Sequence, residues 1–318
     1  MFVTIVHDNV HVMNQITINT SYTPLVSWQR LMAGSAGPVT VMVIILIVIW
    51  YIAVIFMNTP WQIDKFKRAH QQWTTWELVQ GTMQQRRPVI PAPHQVLVEL
   101  YKTVVQKNVT SRRSLVYHSA VTLSSTLLGF LTGGLLGIFL AVGIVHVKSL
   151  DKSLMPWIIA SQTIPILAIA PMVIVVLGAI GLKGLIPKSI ISMYLCFFPV
   201  AISMVKGLRS PDPLQLDLMR TFSASKSQVF FKLRWQSALP YLFTSLKVSV
   251  AISLVGAIVA ELPTGAQAGL GSRLLAGSYY GQTVQIWAAL VAASVLAAGL
   301  VSLIGVVERV VFKRMGAH

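Results

Sequence analysis

The chain has 318 residues, of which 55% are hydrophobic and 11% charged, and its mean hydropathy is +0.71. A soluble domain carries roughly 25% charged residues, so the composition excludes an ordinary globular protein and indicates a polytopic membrane protein. The net charge of +16 does not indicate nucleic-acid binding, because the basic residues lie between apolar runs, where they face lipid headgroups or mark cytoplasmic loops.

The N-terminal part, residues 1–38, lacks the apolar core of a secretory signal and is predicted to be a cytoplasmic tail. A helix needs about 20 apolar residues to cross a bilayer. Runs of that kind predict transmembrane helices over 39–57, 118–146, 154–178, 185–205, 242–262 and 284–307. Prolines inside them, at Pro165, Pro171 and Pro199, predict kinks that neighbouring helices tolerate.

The second predicted span carries Gly129, Gly133 and Gly137 at four-residue spacing. Such a stripe of small residues allows two helix backbones to approach closely. It predicts either tight packing inside a bundle or a contact between subunits.

Between the first two spans lies a polar, glutamine-rich linker, residues 58–117. Its Pro91-Ala92-Pro93 predicts an extended piece, and apolar residues at helical spacing between His94 and Asn108 predict an amphipathic surface helix. Six spans with a cytoplasmic N-terminus place this linker outside the cell, although it carries nine Lys or Arg residues. The charge bias that orients membrane proteins loses force in loops approaching about 60 residues.

A basic, amphipathic stretch, DLMRTFSASKSQVFFKLRWQSALP at 217–240, separates the fourth and fifth spans. Small hydroxyl residues at Ser223 to Ser225 predict a break between two short helices. One side of the predicted helical stretch carries Leu218, Phe222, Val229 and Leu233. Charges cost several kcal/mol each at the centre of a membrane, so this stretch is expected to lie outside the bilayer, on the cytoplasmic side.

This stretch resembles the coupling loop of ABC-importer permeases, whose pattern is Glu-Ala-Ala, three residues, Gly, then nine residues before Ile-x-Leu-Pro. Asp217-Leu218-Met219 stands for Glu-Ala-Ala, Ser223 for the glycine and Leu233 for the isoleucine, whereas Trp235-Gln236 replaces Leu-Pro. Two further stretches resemble the nitrate/sulfonate/taurine-type subfamily, namely SQTIPILAIAPMVIVVLGAIG at the start of 161–208 and VGAIVAELPTGAQAGLGSRL at 255–274. The resemblance covers roughly residues 90–318.

The resemblance implies an all-α membrane protein with six transmembrane helices. Its permease core would cover 118–311, with a cytoplasmic coupling loop at 206–241 and a C-terminal tail at 312–318. It implies a bacterial inner (plasma) membrane location and several partners: two cytoplasmic ABC ATPase subunits, a second permease copy or a paralogue, and a periplasmic substrate-binding protein. Because Gly178 to Gly184 lacks the spacing of a phosphate-binding loop, ATP is expected on the partner subunits. No cofactor, metal site or catalytic residue is predicted in this chain, which is therefore expected not to be an enzyme.

The resemblance also implies two sets of site residues. Contact with the ATPase is expected from Asp217, Leu218, Met219, Arg220, Phe222, Ser223, Ala224, Lys226, Val229, Phe230 and Leu233. Among these, Phe222, Val229 and Phe230 are the expected apolar anchors, and Lys226 and Arg220 the charged rim.

A translocation path is predicted near the third to fifth spans, from Gln162, Thr163, Pro165, Ser192, Ser203 and Glu261. Hydrogen bonding of the hydroxyl and amide groups to helix backbone is the alternative interpretation. For Glu261 the alternative is a capping or gate-packing role, since Pro263 and Gly265 follow it.

Two other classes of membrane protein would show different patterns. A membrane-embedded enzyme would need clustered acids or histidines at membrane depth, and a secondary transporter would need an internal repeat with ion-coupling charges. The sequence shows neither pattern. The importer interpretation predicts a small polar solute, either nitrate-, sulfonate- or taurine-like or pyrimidine-like, and the sequence does not identify it further.

Overall fold

The computed structural model describes residues 36–263 and 268–316, and helices make up most of that length. In chain order the helices are α1 Ala36–Arg68, α2 Thr75–Met83, α3 Pro93–Val104, α4 Leu115–His146, α5 Lys148–Ser161, α6 Ile166–Ala179, α7 Leu185–Leu208, α8 Pro213–Thr221, α9 Lys226–Val229, α10 Trp235–Ala260, α11 Leu270–Tyr279 and α12 Thr283–Arg314. A π-helical turn, Phe230–Arg234, joins α9 to α10 without a break. Residues 1–35 of the predicted tail lie outside the described residues, and its last three residues already belong to α1.

Five of the predicted spans are continuous helices long and apolar enough to cross a membrane: α1, α4, α7, α9 together with α10, and α12. The remaining span is a broken pair, because α5 and α6 meet at 100°. A single kinked helix over 154–178 is therefore wrong. Proline lacks a backbone N–H and disfavours helical geometry in the residue before it, and α6 restarts immediately after Pro165.

The other two prolines remain inside helices, Pro171 in α6 and Pro199 in α7. The five continuous spans extend beyond their predicted bounds at one or both ends. Helix α1 continues past 57 to Arg68, and α12 continues past 307 to Arg314, so each carries basic residues in its last turn. Positive charge at the C-terminus of a helix complements its dipole.

The packed centre of the bundle is formed by α4, α7 and α10. The glycine stripe of α4 faces α7 of the same chain: a Cβ on Gly133 would lie 2.7 Å from the carbonyl oxygen of Met193, and one on Gly137 would lie 2.6 Å from that of Phe197. These distances leave no room for a side chain. Of the two predicted uses of the stripe, the structure therefore shows packing inside the bundle.

The two ends of the bundle carry different segments. The rings of His146 and Phe230 lie 5.2 Å apart at one end, which we call the coupling face (residues 146–152 and 208–234). At the other end the hydroxyl of Thr283 donates to the carbonyl oxygen of Pro88 at 2.6 Å. We call that end the distal face (residues 58–114, 261–263 and 268–283). The predicted linker thus lies on the side opposite the coupling loop, as the six-span topology requires.

At the distal face the predicted linker is folded against α1. The buried Asn58 donates to the carbonyl oxygen of Ile90 at 2.9 Å and accepts from the backbone N–H of Val89 at 2.8 Å. The side chain of Gln85 donates to the carbonyl oxygen of Asn58 at 3.1 Å, and the indole of Trp50 donates to that of Pro91 at 3.1 Å. Polar side chains therefore hold the segment in place.

The amphipathic surface helix predicted between His94 and Asn108 is present as α3, although it ends at Val104. Val96 is buried and Leu100 packs against the cluster around Leu270, whereas Leu97 is exposed. The apolar side of α3 is thus only partly used inside the chain.

Candidate functional site

The coupling segment, residues 209–234, begins with a well-defined helix start. The carboxylate of Asp212 accepts the backbone N–H of Leu214 at 2.8 Å, and Pro213 occupies the first helical position, where its missing N–H costs nothing. Within α8, Asp217 and Arg220 form an ion pair at 2.8 Å, with both side chains largely exposed. An exposed pair of this kind contributes little to stability, so it leaves both groups available to a partner.

A turn at Ser223 separates α8 from α9, where the sequence predicted a break. Ser223 has φ of +51°, in the left-handed region that favours glycine. This is the position at which the family pattern has glycine. Ser225 then starts α9: its hydroxyl accepts the backbone N–H of Gln228 at 3.3 Å, and the Gln228 side chain accepts that of Ser225 at 2.8 Å.

One face of α8 presents apolar side chains to the outside. Leu214, Leu218 and Phe222 follow one another at four-residue spacing and are 77%, 57% and 74% exposed. Residues four apart lie on the same helix face, so these three form a continuous apolar stripe. Of them, Leu218 and Phe222 were predicted contact residues, while Leu214 was missed although it lies four residues before Leu218.

The predicted anchor Phe230 is directed into the bundle. Its ring contacts those of His146, at 5.2 Å, and Trp235, at 6.1 Å, so Phe230 is half-buried in the chain, and its contact with the ATPase stays a prediction. The exposed aromatic residue is its neighbour Phe231, at 62%, which the sequence interpretation missed. Val229 is also only half-exposed.

The remaining predicted contact residues divide by exposure. Lys226 is exposed, as a rim residue would be, whereas Met219, Ala224 and Leu233 are half-buried. The half-buried residues pack the segment itself and present less of their surface to a partner.

Several contacts fix the coupling segment to the spans. The guanidinium of Arg234 donates to the carbonyl oxygen of Leu208 at 3.1 Å, which joins the start of α10 to the end of α7. Arg209 pairs with Asp151 of α5 at 2.8 Å. These contacts connect the segment to α5, α7 and α10.

The residues predicted for the translocation path do not form one group. Gln162, Thr163 and Pro165 lie at the break between α5 and α6 and are exposed. Ser203 is half-buried on α7.

Ser192 and Glu261 are fully buried inside the chain. In this conformation neither side chain reaches the surface of the chain, and their place on a path stays a prediction. The hydroxyl of Ser192 donates to the carbonyl oxygen of Ser253 at 2.5 Å, the backbone-bonding alternative that the sequence left open.

Glu261 is the centre of a buried polar cluster at the distal face. Lys188 of α7 lies 3.3 Å from one carboxylate oxygen, and the hydroxyl of Thr122 on α4 donates to the other at 2.9 Å. The backbone N–H of Gly271 donates to Glu261 at 3.0 Å. Buried charges are tolerated when they are paired and hydrogen-bonded. The Glu261 carboxylate is both, because it has a lysine partner and two hydrogen-bond donors.

The same cluster caps the start of α11. The N–H groups of Gly269, Leu270 and Gly271 bond to His118, Thr122 and Glu261 at 3.0, 2.8 and 3.0 Å. A helix start has unsatisfied N–H groups and favours negative charge. The capping role that the sequence offered as the alternative for Glu261 is the one observed.

The sequence interpretation missed three members of this cluster, His118, Thr122 and Lys188. The available signal for the ion pair was Lys188 at the start of one apolar span and Glu261 at the end of another. Among residues 36–263 and 268–316, no three His, Cys, Asp or Glu side chains come together as metal ligands.

Residues 133–317 match the family described as binding-protein-dependent transport system inner membrane component. A probable ABC transporter permease protein of Haemophilus influenzae is 30% identical over 68% of this chain and 82% of the relative. The formylaminopyrimidine transport permease protein of Halalkalibacterium halodurans is 30% identical over 58% of this chain and 68% of the relative. A putative aliphatic sulfonates transport permease protein of Bacillus subtilis is 24% identical over 75% of this chain and 82% of the relative.

The matched residues include α7, the coupling segment, α10 and Glu261, so the similarity covers both ends of the central bundle. The exposed stripe and the left-handed turn at Ser223 lie in the part that resembles the coupling loop. The chain therefore belongs to the family of binding-protein-dependent transport system inner membrane components and is a permease of the ABC transporter type.

Proposed function

We propose that this permease forms half of the path of an ATP-driven importer in a bacterial inner membrane. In this proposal two cytoplasmic ATPase subunits drive it, a periplasmic binding protein delivers the solute, and a second permease copy or a paralogue completes the path. The observation that carries the proposal is the exposed stripe of Leu214, Leu218 and Phe222 on a segment tied firmly to the spans. Apolar groups of this kind anchor a helix in a partner's groove.

The coupling mechanism follows from how the segment is attached. Nucleotide-driven movement of the ATPase pair would displace α8, and the contacts of Arg234 and Arg209 would carry that displacement to α5, α7 and α10. The path would then alternate between outward and inward openings. Such a switch requires that the two states differ in affinity for the partners.

ATP is proposed to be bound and hydrolysed by the partner subunits, with this chain contributing no catalytic group or cofactor. We expect the purified chain to hydrolyse no ATP until the ATPase subunits are added. Hydrolysis by the chain alone would contradict this division of labour.

The break between α5 and α6 supports a second permease copy beside it. Gln162, Thr163 and Pro165 are exposed there and interrupt a span at 100°. Non-helical backbone at membrane depth is tolerated only where protein or a water-filled cavity satisfies its polar groups. We therefore place this break at the subunit interface, beside the path.

The proposed substrate is a small polar solute. Relatives carry names for formylaminopyrimidine, riboflavin, aliphatic sulfonates, nitrate and taurine transport, and selectivity among such solutes is expected to reside largely in the binding protein. Lys188 and Lys247 are each paired with an acid, so neither supplies a free positive charge that would favour an anion over a neutral pyrimidine-like heterocycle.

Transport assays with charged replacements in the stripe test the coupling role. We expect Leu218→Asp and Phe222→Asp each to abolish solute uptake by vesicles containing the complete transporter, because an aspartate would be desolvated in the ATPase groove. Val109, 60% exposed at the distal face, provides the matched control, and Val109→Asp should transport normally. Unchanged uptake by both stripe variants would contradict the proposal.

Accessibility to an impermeant thiol reagent tests the orientation. The natural thiol, Cys196, is fully buried, so Ser227→Cys and Val109→Cys can be compared on a low background. In intact spheroplasts we expect labelling at position 109 and none at 227, with the order reversed in inside-out vesicles. Labelling of position 227 from the outside would overturn the cytoplasmic assignment.

A further inference from the structure

A cavity of about 660 Å³ lies at the distal face, between the end of α1 and the turn that follows α2. Lys65 and Arg68 line it from α1, and Arg86 and Arg87 line it from the opposite wall. The only acid among its lining residues is Asp64. The cavity is therefore lined by four cations and one anion.

These four cations have no acidic partner in the described part of the chain. The ion pairs there join Lys188 to Glu261, Arg209 to Asp151, Arg220 to Asp217 and Lys247 to Glu308. Like charges around one concave surface create a local positive potential that attracts anions. A negatively charged group inside the cavity would relieve this repulsion.

The walls of the cavity are held by hydrogen bonds. The side chain of Gln85 donates to that of Gln62 at 3.2 Å, and it also donates to the backbone of Asn58 at 3.1 Å. Both glutamines line the cavity. The arginine wall is thereby connected to α1, which keeps the two pairs of cations facing the same space.

The depth of the cavity relative to the membrane follows from α1. Phe56 and Trp61 are 77% and 66% exposed, as expected for lipid-facing and interfacial positions. At 1.5 Å per residue, Lys65 lies about 6 Å beyond Trp61 along the helix and Arg68 about 10 Å. The headgroup layer on each side of a bilayer is about 5 to 8 Å thick, so with Trp61 at the hydrocarbon boundary Lys65 lies within this layer and Arg68 just beyond its outer edge.

We propose that this cavity binds the phosphate group of an anionic phospholipid from the leaflet at the distal face. The planar arginine side chains can each donate two parallel hydrogen bonds to phosphate oxygens, and Lys65 and Arg68 complete the charge. The acyl chains would run along the exposed apolar side of α1 below Trp61. This binding site does not depend on the coupling role of residues 209–234.

Lipid binding to the intact purified chain tests the site. The chain is stripped of lipid in detergent and titrated separately with phosphatidylglycerol and phosphatidylcholine of the same acyl composition, and bound lipid is counted by native mass spectrometry. A basic residue near an anionic surface contributes about fivefold to binding. We therefore expect the double variant Arg86→Gln/Arg87→Gln to bind its first phosphatidylglycerol about 25-fold more weakly, with phosphatidylcholine unaffected.

A second double variant, Lys65→Gln/Arg68→Gln, removes the opposite wall and should weaken phosphatidylglycerol binding to the same degree. The matched control is Lys67→Gln, because Lys67 lies on the same helix between these residues but does not line the cavity. It should change binding less than twofold, and thermal unfolding should be alike in all three variants.

Three results would overturn the proposal. The first is equal affinity of the natural chain for the two lipids. The second is a loss in Lys67→Gln as large as in the double variants. The third is displacement of phosphatidylglycerol by millimolar inorganic phosphate, which would identify a soluble anion as the ligand.

Discussion

The coupling face and the distal face of the same bundle differ in which side chains they bury and which they expose. At the distal face, Glu261 and Lys188 are charged groups removed from water, and their partners lie within the chain. At the coupling face, Leu218 and Phe222 are apolar groups left in water. The polar groups of the distal cluster are therefore partnered within the chain, whereas in the proposed importer the coupling stripe is covered only by a partner.

The two faces are connected by α7 and α10. These helices are joined at the distal face by the ion pair of Lys188 and Glu261, and at the coupling face by the bond from Arg234 to Leu208. A pair fixed at both ends moves as one body. Changes at the distal face are expected to alter stability, and changes at the coupling face are expected to alter partner binding.

The largest expected effect on stability comes from Glu261→Ala. It leaves Lys188 buried without its acid and removes the acceptor for Gly271, and breaking a buried pair in this way costs about 3 to 5 kcal/mol. The free energy of unfolding in detergent, from denaturant titration, measures the loss. The double variant Lys188→Met/Glu261→Met should recover part of it, and a single variant within about 0.5 kcal/mol of the natural chain would contradict this account of the cluster.

A smaller effect is expected from Gly133→Ala. Its Cβ would meet the carbonyl oxygen of Met193 at 2.7 Å, and overpacking of a tight interface costs about 1 to 3 kcal/mol. Gly299 in α12 provides the control, because nothing lies within 4 Å of its Cβ position. Gly299→Ala should leave stability unchanged or raise it slightly, since alanine favours helix. Equal losses in both variants would show that helix contact is not the cause.

Ser223→Gly should stabilise the chain, by about 0.5 to 1 kcal/mol. Its φ of +51° strains any residue with a Cβ, although the greater freedom of glycine in the unfolded chain offsets part of the gain. Ser227→Gly, inside α9, is the control and should have the opposite sign, because glycine disfavours helix. Thermal unfolding of the two variants side by side distinguishes them, and destabilisation by both would argue against strain at Ser223.

The smallest change in stability is expected from Phe222→Asp, the variant that should abolish transport. Phe222 is 74% exposed, so its replacement should alter the free energy of unfolding by less than about 0.5 kcal/mol. The measurement is the same denaturant titration applied to the isolated permease. A loss of several kcal/mol would mean that the stripe packs within the chain and would remove the contrast between the two faces.

The sequence predicted the parts of the fold that follow from continuous apolar runs and from local turn chemistry. Five spans and the break at Ser223 are confirmed, since hydropathy and small hydroxyl residues act over short distances. The bend between α5 and α6 was missed because both helices are apolar, and hydropathy averaged along the sequence does not detect a change in helix direction. Gln162 and Thr163 just before Pro165 were the local signal for it.

The parts that could not be predicted depend on partners distant in sequence. Thr122 and Glu261 are 139 residues apart and meet only in the folded bundle. The glutamines between residues 58 and 117 predict a polar linker. In the structure the Gln85 side chain instead donates a hydrogen bond to the backbone of Asn58, 27 residues away. Phe230 and Phe231 point in different directions, as neighbours on a helix do, and the one that is packed is decided by the contact of Phe230 with His146, which is distant in sequence.

The ion pair of Lys188 and Glu261 has a consequence for how the chain enters the membrane during synthesis. Its two members are 73 residues apart, so the lysine emerges from the ribosome well before its acid. A lone charge at the centre of an isolated helix opposes insertion by about 3 kcal/mol, and one near a helix end, as Lys188 is in α7, by less. The nascent α7 therefore carries an unpaired lysine until α10 follows, and the charge is neutralised only when both helices are in the membrane.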